Sequence, residues 1–207
     1  MDPEITQKKD YLLIIKNNSK KIFIFIILLI IIFLTKIFMD FRKNEAKNNI
    51  SESFVQGKIF IDNKQISEAK NIFEEIVYKK DNIYSPLALF LIIDKELEKD
   101  KKIIIRYFDE ILSLKNFNKE DKNLIKLKKA IFISETGSEK DILDLLNPII
   151  NSDSVWKVQS TKFLGDYYYS LKQYKKSKEY YLILLEEKDR DINYKQIRRK
   201  IDLIKDE

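Results

Sequence analysis

Residues 165–181, GDYYYSLKQYKKSKEYY, repeat the spacing of residues 57–73, GKIFIDNKQISEAKNIF, without a gap. Counted from the glycine that opens each stretch, an aromatic follows at +3 (Tyr168, Phe60) and a bulky residue at +9 (Tyr174, Ile66). A small residue stands at +12 (Ser177, Ala69) and an aromatic at +16 (Tyr181, Phe73). Apolar positions three and four apart belong to helices, and polar clusters such as DNKQ at 62–65 mark the turns between them. The pattern predicts two antiparallel helices that touch where a glycine on the first meets a small residue on the second. The large aromatics then fill the space beside that contact.

Two weaker copies lie between. Ala130, Ile133, Ile142, Leu146 and Ile149 keep the register, and Ile92, Ile104, Phe108 and Ile111 keep it without the small residues. The anchors Gly57, Ile92, Ala130 and Gly165 are 35, 38 and 35 residues apart. The arrangement resembles the tetratricopeptide pattern, whose unit is ~34 residues. Further breaks are expected at KKDN (79–82), KNFNKED (115–121), ETGSEKD (135–141), NSDS (151–154) and EKDRD (187–191). Asn63, Asp81, Asn118, Ser138 and Ser152 stand where a cap or turn residue is wanted, and Ser154 falls in a turn predicted to be exposed. Tyr194, Ile197, Ile201 and Ile204 share one face of 191–205, read as a helix capping the last repeat. The predicted fold class is all-α: an N-terminal transmembrane helix, then a tetratricopeptide-like solenoid of about four degenerate helix pairs with a C-terminal capping helix.

The transmembrane segment is Ile22 to Met39. Residues 22–35, IFIFIILLIIIFLT, carry no charge, and Ile37, Phe38 and Met39 extend the run past Lys36. About 18 helical residues span roughly 27 Å, close to the ~30 Å of a bilayer's hydrocarbon. The following KIFMDFRKNEAKNN lacks the small residues that signal peptidase requires, and no cysteine is present for lipid attachment, so the segment reads as an uncleaved signal anchor. Five lysines precede it (Lys8, Lys9, Lys16, Lys20, Lys21) and four basic residues follow (Lys36, Arg42, Lys43, Lys47). The Lys20–Lys21 pair at the boundary favours a cytoplasmic N-terminus. The expected organisation is a cytoplasmic tail (1–21), the anchor (22–39), a juxtamembrane linker (40–50) and an exported repeat domain (51–207).

Composition removes most chemistry. There is no cysteine and no histidine, which excludes thiol catalysis, disulfides, iron–sulfur clusters and histidine-based triads. The formal charge of +6 is concentrated at the start: residues 1–48 hold nine basic and five acidic side chains, leaving +2 for the remainder. No basic stripe suits nucleic acid. The acidic residues are spaced like solvated helix faces, with no EF-hand loop, so no enzyme activity, cofactor, metal or small-molecule substrate is expected.

The anchor, the segment YSPLALFLIIDKELEK (84–99) and the tryptophan-led WKVQSTKFLGDYYYSLKQYKKSKEYY (156–181) together resemble the ancillary Sec translocon subunit family (YfgM-like) of Gram-negative inner membranes. The resemblance implies periplasmic repeats that associate with Sec channel subunits and a membrane-anchored periplasmic chaperone of the prolyl-isomerase type, assisting handover of emerging polypeptides. It carries no catalytic residues. The competing reading is a cytoplasm-facing adaptor that gathers soluble proteins onto the membrane, and topology separates the two.

Binding is expected on the helix faces that do not pack inward: three residues before, one after and four after each anchor. The candidate groove comprises Phe54, Ile61, Leu89, Ile93, Leu127, Ile131, Lys162, Asp166 and Tyr169. An exposed apolar row of this kind would accept an extended or helical apolar segment. Closure of the degenerate middle repeats, or the capping helix itself, would instead bury it. Among the consecutive tyrosines, Tyr168 is assigned to the core and Tyr169 to the surface.

Overall fold

Short polar segments end helices at the expected breaks 62–65, 79–82, 135–141 and 151–154; a further, unexpected break falls at 95–100, and those at 115–121 and 187–191 lie partly outside the described residues. The computed structural model describes residues 19–114, 117–187 and 193–205; among these the regular structure is all helix, with no strand. In chain order the helices are α1 (Ser19–Asp62), α2 (Ile66–Tyr78), α3 (Tyr84–Asp94), α4 (Lys101–Leu112), α5 (Lys119–Ile133), α6 (Glu139–Ile150), α7 (Lys157–Ser170), α8 (Tyr174–Glu186) and α9 (Tyr194–Lys205). The chain divides into two units between Glu52 and Ser53, inside α1. The predicted linker 40–50 is therefore helical.

The first unit contains a helix long and apolar enough to cross a membrane. From Phe23 to Phe41 every large apolar side chain is exposed, which distinguishes this segment from the core helix of a soluble fold. Its one hydroxyl, Thr35, donates to the carbonyls of Ile31 and Ile32 at 2.9 and 2.8 Å, so that group is satisfied within the helix.

In the second unit the glycines meet the aromatics sixteen residues on. A methyl group placed on Gly57 would lie 2.7 Å from the ring of Phe73, and one on Gly165 would lie 2.6 Å from the ring of Tyr181. Both aromatics are fully buried, as are Phe108 and Leu146 at the same register. The +12 residues Ala69, Ile104, Ile142 and Ser177 are buried beside them, and Ser177 donates to the carbonyl of Gly165 at 2.8 Å. Ile66, at +9, is exposed as the first residue of α2.

The turns repeat as well. After α1, Lys64 takes φ 61° and the Gln65 amide donates to Phe60 O; after α7, Lys172 takes φ 58° and the Gln173 amide donates to Tyr168 O. These left-handed closures satisfy carbonyls that a helix end leaves open. Asn118 caps α5, Ser138 and Asp141 form a reciprocal capping box on α6, and Asp81 accepts the amides of Ile83 and Tyr84 ahead of α3. Asp100, unmarked in the sequence reading, caps α4.

Successive helices pack on one another from α2 to α9. One buried cluster joins α5, α6 and α7 through Leu127, Ala130, Ile142, Leu146, Leu164 and Tyr168, and a second joins α8 and α9 through Tyr181, Leu184, Ile197, Ile201 and Ile204. Ser154 is buried, contrary to its expected exposure. Its hydroxyl accepts from the Asn123 amide at 3.1 Å and donates to Glu120 at 2.6 Å, tying the α6–α7 turn to the start of α5.

Candidate protein-binding surface

The expected row of contact residues does not form one open groove. Leu89 and Leu127 are 0% and 4% exposed and belong to the core. Their helices, α3 and α5, are flanked by neighbours on both sides, so a position that faces outward on a lone helix pair is covered here. Phe54 is half-buried, its ring 5.6 Å from Phe73 and 5.5 Å from Tyr84. Ile61 and Ile93 are also half-buried, and Ile131 remains 44% exposed.

The last three candidates do come together, but with α9. Asp166 accepts from Lys162 Nζ at 2.6 Å, Lys200 Nζ at 2.5 Å and Tyr181 Oη at 2.6 Å. Burial alone would raise the Asp166 carboxyl, yet these three donors outweigh it and hold its pKa below the ordinary carboxylate value. Burial, followed by the bond to Asp166, pushes the Tyr181 hydroxyl well above its ordinary value. Tyr169 packs edge-on to Tyr174, 5.6 Å between centroids, and joins the cluster under α9. Lys200 Nζ stands 5.8 Å from the Tyr169 ring and 5.4 Å from that of Tyr181.

An apolar cleft of about 240 Å³ lies between α3 and α5, lined by Ile83, Pro86, Leu87, Phe90, Phe117 and Leu124, with Asn82 and Asp121 beside them. Ile83 and Leu87 are 52% and 43% exposed. Sequence reasoning missed this cleft, although α3 carries a signal for it. Apart from Ser85, whose hydroxyl donates to Ile76 O, the helix YSPLALFLIID carries apolar side chains around its circumference before Asp94, more apolar surface than one core stripe requires. A second cleft, about 400 Å³, sits among α4, α5 and α6, with Ile105, Ile133 and Leu145 below and Lys129, Asp141 and Asp144 at its edge. Lys129 is already engaged by Asp109 at 2.6 Å, and Asp141 by the capping box.

Chemically, these surfaces offer apolar contact and charge pairing. Among the described residues no group of three acidic side chains is placed to hold a metal ion. No family model, curated protein or solved structure matches the chain.

Proposed function

We propose that this chain is a non-enzymatic, single-pass membrane scaffold whose helices form a tetratricopeptide-like solenoid that binds other proteins. Residues 22–39 anchor it in a bacterial inner membrane with the N-terminus cytoplasmic, and the repeats work in the periplasm. The partners are Sec channel subunits and a membrane-anchored periplasmic chaperone, and the role is handover of secreted or membrane proteins. The specific partners follow from the likeness of segments 84–99 and 156–181 to the ancillary translocon subunits. The solenoid reading is supported by the equal spacing of the two glycine–aromatic contacts and by the shared turn geometry after α1 and α7.

The observation that carries protein binding is the open apolar cleft between α3 and α5, where a folded body leaves Ile83 and Leu87 half in solvent. The test combines topology with capture. The chain has no cysteine, so Val155→Cys, at an exposed position, gives a single probe. Labelling by an impermeant maleimide in intact spheroplasts, with Sec channel subunits co-purifying from detergent, is the expected outcome. Labelling only after lysis would hand the function to a cytoplasm-facing adaptor.

A further inference from the structure

Lys200 stands 35 residues after Gly165, the interval that separates Gly57 from Ile92 and Ala130 from Gly165. Where the other helices place a small or apolar anchor, α9 places an ammonium. That ammonium does not reach solvent freely: it contacts the Asp166 carboxylate and lies over the rings of Tyr169 and Tyr181. A carboxylate flanked by two tyrosine faces is the chemistry that recognises a cation stripped of part of its water.

The attachment of α9 is narrow. Ile197, Ile201 and Ile204 are buried against Tyr181 and Leu184, with Val158, Tyr169, Tyr174 and Leu185 beside them. The rest of the helix (Lys195, Gln196, Arg198, Arg199, Asp202, Leu203) is exposed. As the last described helix, α9 packs chiefly on α8. It can therefore leave without opening another helix pair, as low-stability terminal elements do. Lys162 would remain bonded to Asp166 after such a departure.

We propose that Asp166, Tyr169 and Tyr181 form an ammonium-recognition pocket at the end of the array, filled in cis by Lys200, and that a basic amphipathic helix of a partner protein replaces α9 there. The partner helix carries aliphatic residues at i, i+4 and i+7 and a lysine at i+3, the pattern of Ile197, Lys200, Ile201 and Ile204. The proposal rests on the protein-binding reading above and names the partner's chemistry. It also accounts for the coverage of Asp166 and Tyr169: α9 occupies their site as a built-in substitute ligand.

Hydrogen exchange on the full-length chain in detergent micelles tests displacement. Residues 194–205 should exchange at least about ten-fold faster than α7 and α8. Lys200→Met should raise that exchange several-fold further, and Lys200→Arg should restore it, because the charge rather than the stem makes the latch. Recognition is tested with full-length Lys200→Glu, whose α9 is repelled by Asp166, and a fluorescent peptide of residues 193–205. The peptide should bind, and a version with methionine in place of lysine should bind at least about ten-fold more weakly. If Lys200→Glu disturbs exchange in α7 and α8, full-length Lys200→Met serves as receptor. Exchange of α9 in step with α7 and α8, equal binding of both peptides, or no binding would each overturn the proposal. No cellular partner enters either arm, so failure of the translocon reading leaves these outcomes intact.

Discussion

Gly165→Ala sets two effects of opposite sign against each other. Alanine in place of a mid-helix glycine favours α7 by about 1 kcal/mol through backbone entropy. Against that, the new methyl would sit 2.6 Å from Tyr181 Cε1 and 2.7 Å from Cδ1, whereas ordinary contact begins at 3.4 Å. The ring must shift by about 1 Å in a fully packed site, an overpacking penalty of about 1–3 kcal/mol. Tyr181 cannot pivot freely, because its hydroxyl is bonded to Asp166; losing a bond to a charged group adds about 1.5–3 kcal/mol. The net expectation is destabilisation by about 2–4 kcal/mol, a fall in Tm of roughly 5–15 °C for a unit of this size. Thermal unfolding by circular dichroism in detergent measures it, with Tyr181→Leu as the partner in a double-mutant cycle. In the Tyr181→Leu background the alanine meets no ring and should stabilise by about 1 kcal/mol, giving a coupling of about 3 kcal/mol or more. If Gly165→Ala raised Tm in the wild-type background, the close approach inferred at this glycine would be refuted. Gly57→Ala should cost less, because its nearest atom is the ring tip of Phe73, an aromatic with no hydroxyl to hold it.

Lys172→Gly should raise stability by about 0.5–1 kcal/mol in chemical denaturation, since Lys172 holds φ 58° in the turn after α7. Ser154→Ala should lower it by about 1–3 kcal/mol, because Asn123 and Glu120 each lose a buried or half-buried partner. Acid should destabilise the second unit: Glu139 is held below its ordinary 4.5 by bonds from Lys176 and Tyr168, and Asp166 lies below its ordinary 3.8. Folded pKa values below the unfolded ones give stability that is complete above those ordinary values and lost as pH falls through the folded ones. Tm should therefore hold from pH 7 to about 5 and fall below about 4.5, less steeply in Asp166→Asn. Leu87→Asp should abolish capture of the protein partner while moving Tm little, since its side chain is already half in water.

Legibility in the sequence followed what a helix pair decides for itself. Close approach at a glycine is a property of one helix pair, and the spacing of 57–73 and 165–181 marked both glycines, although it paired each with the small residue at +12 whereas the nearest atoms belong to the ring at +16. The caps at Asn118 and Ser138 are equally local. Exposure is a property of neighbours. Leu89 and Leu127 share their register with Phe54 and Lys162, yet the two leucines are buried while Phe54 is half-buried and Lys162 exposed, and no periodicity within a single helix encodes that. Ser154 failed for the same reason: its burial depends on Asn123, thirty-one residues away. Asp166 was read as a contact residue because its outward register is visible, whereas the lysine that covers it comes from α9, on the far side of a polar break.

Where a glycine anchor survives, as at 57 and 165, the ring of the second helix lies directly on the backbone of the first and no space is left between them. Isoleucine at 92 and alanine at 130 hold side-chain atoms where those glycines have none, so the middle helices cannot close in the same way. Both clefts are lined by residues from α3 to α6 and the turns beside them. The outer pairs close through contacts that an added methyl would strain, whereas the two clefts lie along α3 to α6. Restoring glycine at 92 alone would not close the α3–α5 cleft, because Leu87, Phe90 and Leu124 would still line it from outside the core stripe. The side chains of α3 and its cap that line the cleft, Ile83, Leu87 and Phe90, are those that core packing leaves over, so a helix with more apolar surface than one stripe requires marks it.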